Sequence, residues 1–376
     1  MRAGGASGGA RDYAGPELSI IVPTFNEREN IAELLAGLKN AMAQRSWEVI
    51  FVDDDSPDGT AAVVAEFAAK DARIRCINRI GRRGLSSACI DGMLATSAPY
   101  LAVMDADLQH DERLLPQMLD ALQLGDTDIV VGSRYAIGGD LGDWDHRRAR
   151  MSRLAVRLSR LLVPADLTDP MSGFFMLRRP VFTGAVHRLS ALGFKILTDL
   201  FASSPQPLRF KELPYRFRAR HAGESKLDSA TVWDYLMLLL DKLVGRYVPV
   251  RFVAFSIVGT MGLAVHFGVL ASLFRLLPTP FIIAQTASTL CTMVFNFSIN
   301  NVLTYRDMRL RGARWVRGLL SFLLACSIGG LMNITVAAVV YQSRVPWVLA
   351  AISGILVGAV WNYAVTTLVT WHRADT

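Results

Sequence analysis

The sequence has few charged residues, and the shortage is greatest at its C-terminal end. Of 376 residues, 19% are charged and 52% are hydrophobic, whereas soluble domains average about 25% charged. Residues 251–376 contain no Lys and only two acidic residues, Asp307 and Asp375, beside nine Arg. This composition excludes a disordered protein and argues against a wholly soluble one. The last third also accounts for the whole net charge of +7, so residues 1–250 sum to zero.

Two other classes of protein are excluded by what is scarce. The four cysteines are widely spaced and form neither a disulfide framework nor a zinc motif. The Arg residues separate long uncharged runs instead of clustering on one polar face, so no nucleic-acid partner is expected.

Residues 1–16 are rich in Gly and Ala and lack the apolar segment of a signal peptide. We expect them to form a disordered tail.

Four uncharged runs in the C-terminal part each exceed the roughly 20 residues that cross a bilayer. The alternative, a buried helical core, does not normally repeat four such runs in succession. Five Arg lie between the second and third runs, but only Arg275 and Arg344 lie on the opposite side. Because the basic side is cytoplasmic, both termini and the N-terminal domain are expected in the cytoplasm. The predicted spans are Phe252–Phe274, Leu276–Tyr305, Gly318–Ser343 and Val345–Trp371.

Residues 17–228 have the pattern of a soluble α/β domain, in which short apolar strands alternate with helices. Helical periodicity covers Arg28–Lys39, and an Ala-rich helix is predicted over 60–69. This alternation predicts an open, mostly parallel sheet. Ligands bind beyond the carboxyl ends of such strands. The predicted strands are Leu18–Pro23, Trp47–Val52, Arg73–Asn78, Leu101–Met104 and Asp128–Gly132.

Polar residues follow the first two strands directly. Pro23, Phe25 and Glu27 come after the first, where simple helix capping is the competing interpretation. The second runs into four carboxylates within six residues, Asp53 to Asp58. A nucleobase or ribose can use such an acid as a hydrogen-bond acceptor, and we expect this role for Asp54. The Ser-Pro-Asp-Gly sequence favours a turn, so Asp58 is expected to be structural.

The fourth strand is followed by Asp105, Asp107 and Gln109. Carboxylate and amide oxygens are hard donors that suit Mg²⁺ or Mn²⁺. Two acids one residue apart are weak evidence alone, but their position after a strand strengthens it. We expect a metal site there, with His110 as a hydrogen-bonded neighbour.

Basic residues supply the remaining candidates. Arg134 follows the fifth strand and could face the same edge of the sheet. Residues 146–163, which include Arg148, alternate Arg with apolar residues and predict an amphipathic helix on an anionic membrane, the alternative being a solvated surface helix. Residues 232–244 are a second such candidate. Four bases surround a Gly turn between Arg216 and Lys226, where they could hold phosphates or simply be solvated.

The whole set of motifs resembles glycosyltransferase family 2, and within it the dolichol-phosphate mannose synthases. The matching strings are IVPTFNERENI, VDDDSPDGT, MDADLQH, GSRY, DPMSGFF and RARHAGESK. The spans, with VRFVAFSIVGT and VFNFSINNVLTYR, resemble a GtrA-like membrane domain. The resemblance implies a GT-A catalytic domain over 17–228, an interface helix or linker over 229–250, and a four-helix membrane domain over 251–376.

The resemblance also implies an activity, the inverting transfer of mannose from GDP-mannose to a polyprenyl phosphate at the cytoplasmic leaflet. It places the nucleotide sugar on Pro23, Phe25, Glu27, Val52, Asp54, Asp105, Ala106, Asp107, Gln109, Arg220 and Lys226. It places the metal, Mg²⁺ or Mn²⁺, on Asp105, Asp107 and Gln109. The catalytic set is Asp107, Arg134, Arg148, Arg220 and Lys226, of which Arg134 and Arg148 would hold the acceptor phosphate. Phe25, Asp55 and Asp111 depart from the family's usual Tyr, Asn and Pro.

Three alternatives remain. The same reaction could use UDP-glucose or another sugar nucleotide, because nothing physical in the sequence separates the two donors. A non-catalytic module that translocates lipid-linked sugars is possible, although the intact acidic motif argues against it. A processive polysaccharide synthase is disfavoured because no Q-x-x-R-W motif is present. In the spans, Asn296 and Asn300 could form interhelical hydrogen bonds or a polar track for a lipid headgroup, and the absence of acids argues against proton-coupled transport.

Overall fold

The computed structural model describes residues 15–140, 156–164, 166–190, 195–218, 229–245, 247–276 and 280–371. The chain divides into two compact units, residues 1–242 and residues 243–376.

The first unit is built on a sheet with seven strands in the described part of the chain. The strand order is β3-β2-β1-β4-β6-β5-β7, and only β6 runs antiparallel to its neighbours. The prediction of a mostly parallel α/β sheet is therefore confirmed. The strands are β1 Leu18–Thr24, β2 Trp47–Asp53, β3 Ile74–Asn78, β4 Tyr100–Val103, β5 Ile129–Ser133, β6 Phe175–Arg178 and β7 Phe210–Pro214.

The five predicted strands form, with ends that differ by one residue. Pro23 was expected to end β1, but the strand continues to Thr24. The pairing of β1 with β4 stops at Ile21 opposite Val103, whereas its pairing with β2 continues through Pro23. Pro23 therefore lies where β1 has one paired neighbour, which accommodates a residue without an N–H group.

Two strands, β6 and β7, were not predicted from the sequence. β6 is only four residues long, and β7 (FKELP) alternates apolar with charged residues at the edge of the sheet. Because β6 is antiparallel to β4 and β5, its beginning lies at the edge where the parallel strands end. The sheet thus brings the segment before β6 to the expected ligand-binding edge.

Helices cover both faces of the sheet and enclose two apolar cores. One core lies beneath α1 and α4, and the other beneath α3 and α6. The predicted helix Arg28–Lys39 begins with a 3₁₀ turn, Arg28–Asn30, so that α1 itself starts at Ile31. The helices are α1 Ile31–Ala41, α2 Thr60–Ala68, α3 Leu85–Leu94, α4 Leu115–Gln123, α5 Arg179–Ala185 and α6 Ile196–Ser203.

The predicted amphipathic helix over 146–163 is described only from residue 156 onward. Residues 156–159 are helical, and the helix ends there instead of reaching residue 163. Leu158 and Leu162 pack against Met171 and against α7, Ser229–Val244, on its residues Tyr235 and Leu239. Part of the apolar face expected to contact lipid is thus covered by protein. Whether either helix lies on a membrane stays a prediction.

The C-terminal end of α7 is held by a buried ion pair. Lys242 Nζ lies 2.7 Å from Asp199 Oδ1, and Asp199 is fully buried. The backbone N–H of Ser190 and the hydroxyl of Ser203 also donate to Asp199. The carboxylate is therefore solvated by the protein in place of water.

Within its described residues, the second unit has four long helices. They are α8 Val250–Leu276, α9 Phe281–Val302, α10 Ala313–Gln342 and α11 Trp347–Val365, and the last continues as a π-helical turn, Thr366–Thr370. Each is long and apolar enough to cross a membrane, which confirms the four predicted apolar helices. Some predicted ends are wrong because charged residues were used to mark them. The third helix, α10, starts at Ala313 and includes Arg314 and Arg317. Tyr305 stacks on Trp371, with ring centroids 4.0 Å apart, inside this unit.

The Lys242→Met variant is expected to destabilise the first unit. Removing one partner of a buried ion pair leaves an uncompensated charge, which costs about 3 kcal/mol or more. Arg45→Met is the matched control, because Arg45 pairs with the exposed Asp120 and such surface pairs contribute about 0–1 kcal/mol. Thermal unfolding in detergent should show a melting temperature several degrees lower for Lys242→Met only. Equal melting temperatures in the two variants would contradict the anchoring role of Lys242.

Candidate active site

Three loops at the carboxyl edge of the sheet share an uncommon backbone conformation. Asn26, Asp55 and Leu108 follow β1, β2 and β4, with φ of 58°, 56° and 61°. A non-glycine residue in this region costs roughly 1 kcal/mol or more and tends to occur at functional sites. The strain therefore concentrates at the edge where the sequence predicts the ligand.

Asp54 is buried next to an arginine that sequence reasoning missed. Its Oδ1 lies 3.0 Å from Arg79 Nη1, and its Oδ2 accepts a 2.7 Å hydrogen bond from the N–H of Gly84. Burial raises the pKa of Asp54 above its ordinary value, against the opposing effects of Gly84 and Arg79. Arg79 is itself buried and also contacts Asp91. The candidate acceptor for the nucleotide is thus part of a preformed buried ion pair.

The other predicted nucleotide-binding residues lie around the same loops. Pro23 and Val52 are directly opposite each other in the β1–β2 register. The guanidinium of Arg83 lies over the ring of Phe25, 4.2 Å from its centroid. The N–H of Glu27 donates to Thr60 Oγ1. A signal for Arg79 and Arg83 existed in the basic, Gly-containing sequence RIGRRG that follows β3.

The remaining acids of the Asp53–Asp58 tract serve the turn. Asp53 accepts hydrogen bonds from the hydroxyls of Thr24 and Ser56. Asp58 accepts from the N–H and hydroxyl of Thr60 and from the N–H of Arg28. Although burial acts in the opposite direction, these bonds hold the pKa of Asp58 below its ordinary value. The repulsion among the four carboxylates is therefore offset by local donors.

The predicted metal ligands occupy the loop after β4. Asp107 and Gln109 are buried, and Asp107 Oδ1 accepts the N–H of Gln109 at 3.2 Å. The side-chain Nε2 of Gln109 donates to the carbonyl of Arg218 at 3.1 Å. Ala106, between the two acids, is buried as well. Asp105, at the start of the loop, is partly exposed.

His110 is bonded at both ring nitrogens. Its Nδ1 lies 2.8 Å from the Tyr215 hydroxyl, and its Nε2 lies 3.2 Å from Asp105 Oδ2. Burial acts to raise the pKa of Asp105, but the His110 hydrogen bond and the charges of Lys195 and Arg134 hold it below its ordinary value. Asp105 therefore stays ionised at neutral pH.

Arg134 forms a two-pronged ion pair with a residue that the sequence reasoning assigned no role. Its Nε and Nη2 each lie 2.8 Å from a different oxygen of Asp169, which is fully buried. Although desolvation acts to lower it, this contact raises the pKa of Arg134 above its ordinary value. Asp169 belongs to the DPMSGFF string, which the sequence links to the family without giving this acid a role of its own. Arg134 is one of the two arginines expected to hold the acceptor phosphate, and its guanidinium already pairs with Asp169.

The same string shapes the surroundings of Asp105. A Cβ atom at Gly173 would lie 2.7 Å from Asp105 Oδ2, so only glycine leaves room for this carboxylate. Lys195 donates to the carbonyl of Met171 at 3.0 Å and places a second positive charge near Asp105. Lys195 was missed because no motif marks it.

The side-chain oxygens of Asp105, Asp107 and Gln109 suit a cation that is also bound by a substrate. In the parts of the chain that the structure covers, no three His, Cys, Asp or Glu side chains are grouped for a metal. Two carboxylates and an amide form only a partial shell, but Mg²⁺ is usually held by one or two carboxylates together with substrate phosphates. The residues present therefore fit a metal bound jointly with a diphosphate.

Three predicted site residues, Arg148, Arg220 and Lys226, lie outside the described residues. The basic cluster is described up to Arg218, which pairs with Asp111 and Glu112 at 2.7 and 2.9 Å. The N–H of Arg218 donates to the carbonyl of Gln109. The last described residue before Arg220 is thereby joined to the predicted metal loop.

Comparison with known proteins identifies the family. Residues 19–184 match glycosyl transferase family 2, and residues 254–371 match the GtrA/DPMS transmembrane domain. The dolichol-phosphate mannosyltransferase of Pyrococcus furiosus is 36% identical over 357 residues, which cover 94% of this chain and 99% of that protein. That of Mycosarcoma maydis is 37% identical over 263 residues, covering 67% of this chain and 88% of that protein.

Among solved structures, similarity extends to glucosyl-3-phosphoglycerate synthase from Mycobacterium tuberculosis in complex with Mn²⁺, uridine diphosphate and phosphoglyceric acid. The two share 18% identity and a TM-score of 0.46 over 61% of this chain and 79% of that one. The resemblance drawn from the motifs is confirmed by the family matches. The chain belongs to glycosyltransferase family 2 and carries a GtrA/DPMS transmembrane domain, which makes it a membrane-bound glycosyltransferase.

Proposed function

We propose that this enzyme transfers mannose from GDP-mannose to a polyprenyl phosphate at the cytoplasmic face of the membrane. The observation that carries the proposal is the loop Asp105–Gln109, set among Arg134 and Lys195 in a chain that aligns with nearly all of a dolichol-phosphate mannosyltransferase. The names of the relatives support mannose as the transferred sugar. The motif resemblance supports GDP-mannose as the donor, and the Arg distribution of the spans supports the cytoplasmic side.

In the proposed reaction, an oxygen of the acceptor phosphate attacks the anomeric carbon of the sugar. The bond from that carbon to the donor diphosphate breaks, GDP leaves with the electron pair, and the configuration inverts. Asp105, Asp107 and Gln109 would hold Mg²⁺ or Mn²⁺, which would supply Lewis-acid stabilisation of the leaving diphosphate. Pro23, Phe25, Glu27, Val52, Asp54 and Ala106 contribute to the nucleotide-sugar site.

The basic residues divide between the two phosphate groups. Arg134 orients the acceptor phosphate while its ion pair with Asp169 fixes the guanidinium, because a planar fork held on one side can still present donors from the other. Arg148 shares this role, and Arg220 and Lys226 bind the donor diphosphate. Lys195, beside Asp105, adds positive charge where negative charge develops.

The identity of the sugar donor can be tested with the purified protein in detergent. The assay also contains a polyprenyl phosphate and a divalent cation. Radiolabelled GDP-mannose should give a lipid-extractable product, and UDP-glucose should give none. Transfer from UDP-glucose alone would overturn the assignment of mannose. A complete lack of product with both donors would favour a non-catalytic translocation module.

The Asp107→Asn variant should lose roughly a hundredfold or more of the turnover rate, since the metal contributes several kcal/mol of transition-state stabilisation. The comparison variant is Asp120→Asn, which changes an exposed acid paired with Arg45 and should keep wild-type turnover. Both should insert into membranes equally. Substantial residual activity in Asp107→Asn would mean that the metal loop is misassigned.

Turnover should fall as the pH drops below about 6, where the second ionisation of a phosphate monoester lies. The dianion is the better nucleophile, and it needs no general base, consistent with a His110 bonded at both ring nitrogens. A pH–rate profile with a polyprenyl phosphonate, which is more basic, should shift this limb to higher pH. An acid limb at the same pH for both acceptors would instead assign it to an enzyme group.

A further inference from the structure

Arg83 lies at the edge of the sheet beside the predicted nucleotide-binding residues. Its guanidinium carbon is 4.2 Å from the centroid of the Phe25 ring, and Phe25 comes directly after β1. Asp54 comes directly after β2, and its N–H donates to the carbonyl of Thr24 at 3.0 Å. Because β1 and β2 are parallel and paired up to Thr24 and Asp53, Phe25 and Asp54 are neighbours. Arg83 therefore lies over one of two adjacent residues that are expected at the nucleotide.

The loop that carries Arg83 is fixed to the acids that follow β2. The side chain of Arg79 contacts Asp54 Oδ1 at 3.0 Å and donates to the carbonyl of Gly84 at 3.1 Å. The N–H of Gly84 donates in turn to Asp54 Oδ2 at 2.7 Å. Gly84 has a φ of 143°, a conformation that residues with a side chain rarely adopt. Both ends of the segment from Arg79 to Gly84 are thus joined to Asp54, and this sets the position of Arg83 relative to the acid.

The hydrogen-bond donors of Arg83 are not used by the protein. Within the described residues, neither a hydrogen bond nor an ion pair joins its guanidinium to another group. The adjacent Arg82 differs, because its Nη1 lies 3.0 Å from Oδ2 of Asp91 on α3. Arg83 is also exposed to solvent. An arginine that lies over an aromatic ring with unused N–H groups can donate to a ligand in the plane of its guanidinium.

An acid alone does not separate guanine from uracil, the bases of the two candidate donors. Both bases present an N–H group beside a carbonyl, so a carboxylate such as Asp54 can accept a hydrogen bond from either. Guanine also presents two neighbouring acceptors, O6 and N7, which match the two-pronged fork of an arginine. Uracil has one acceptor, O4, at the corresponding edge. An unused arginine fork beside an acid therefore favours guanine over uracil.

We propose that Arg83 determines the preference for a guanine nucleotide by donating to O6 and N7 of the base. Phe25, which has no hydroxyl to donate, supports the guanidinium through the face of its ring. The inference rests on the proposed function, because it requires the nucleotide of the sugar donor to bind at this edge of the sheet. It deepens that function by assigning the choice between GDP and UDP donors to one residue.

Binding of GDP and UDP to the full chain in detergent tests this assignment without any transfer reaction. Isothermal titration calorimetry at a fixed concentration of Mg²⁺ gives both dissociation constants for each variant. The wild type should bind GDP about tenfold more tightly than UDP, the order of discrimination expected from one bidentate contact to guanine. Arg83→Met should weaken GDP binding about tenfold and change UDP binding less than about twofold. The retained binding of UDP shows that the variant is folded.

Arg82→Met is the matched control. It removes the same charge from the adjacent position, but Arg82 pairs with Asp91 and does not lie over Phe25. The ratio of the dissociation constants for GDP and UDP should therefore keep its wild-type value in this variant. An equal change of the ratio in Arg82→Met and Arg83→Met would overturn the proposal, because the effect would then follow from the net charge of the loop.

The base analogue 7-deaza-GDP, in which a C–H group replaces N7, tests the contact itself. The wild type should bind it about fivefold or more weakly than GDP, because a hydrogen bond from a charged donor is lost. Arg83→Met should bind GDP and 7-deaza-GDP equally, since removing the arginine and removing N7 abolish the same contact. If the variant kept the wild-type discrimination against 7-deaza-GDP, another group would contact N7 and the proposal would be wrong.

Two other results would also contradict the proposal. Equal weakening of GDP and UDP binding by Arg83→Met would assign the arginine to the ribose or the diphosphate, which both nucleotides share. Unchanged GDP binding in Arg83→Met would exclude a contact between this arginine and the base. A failure of the proposed function is distinct from both results, because it is a lack of lipid product from GDP-mannose and is measured in a separate assay.

Discussion

The buried ion pair between Arg134 and Asp169 joins the end of β5 to the segment that precedes β6. Its two 2.8 Å contacts hold Asp169 in place, and the next residues then determine much of the site. The carbonyl of Met171 accepts a hydrogen bond from Lys195, and the side chain of Met171 packs against α7. Gly173 lies against the carboxylate of Asp105. Because removing one partner of a buried pair leaves the other charge uncompensated, losing this contact would disturb the groups that follow it.

Much of the fold could be predicted because buried parallel strands are continuous apolar runs and membrane helices are longer ones. The wrong predictions concerned short strands and the ends of one helix. β6 is too short to show a period, and β7 alternates with charges as an edge strand does. The ends of α10 were misplaced because charge marks the limit of an uncharged run, whereas the helix continues through Arg314 and Arg317.

The sequence predicted the site residues that directly follow strands, but it did not predict the side chains that pair with them. Asp54 and Asp107 follow strands whose positions the apolar pattern reveals. Arg79 pairs with Asp54, Asp169 pairs with Arg134, and Lys195 lies near Asp105. Each of these partners is 25 residues or more away in the chain, and such pairing depends on tertiary packing that spacing does not encode. The same applies to the membrane unit, where the sequence lists its asparagines but not which of them have partners.

The unequal ends of β1 and β4 form a step at the edge of the sheet where the ligand is predicted to bind. β4 ends at Val103 opposite Ile21, while β1 continues for three more residues to Thr24. At about 3.3 Å per residue, the two ends differ by roughly 10 Å, and the acidic loop turns away within that difference. The step thus comes from a difference in strand length, not from an added domain. Extending β4 by three residues would remove this step, although every predicted site residue would remain in the sequence.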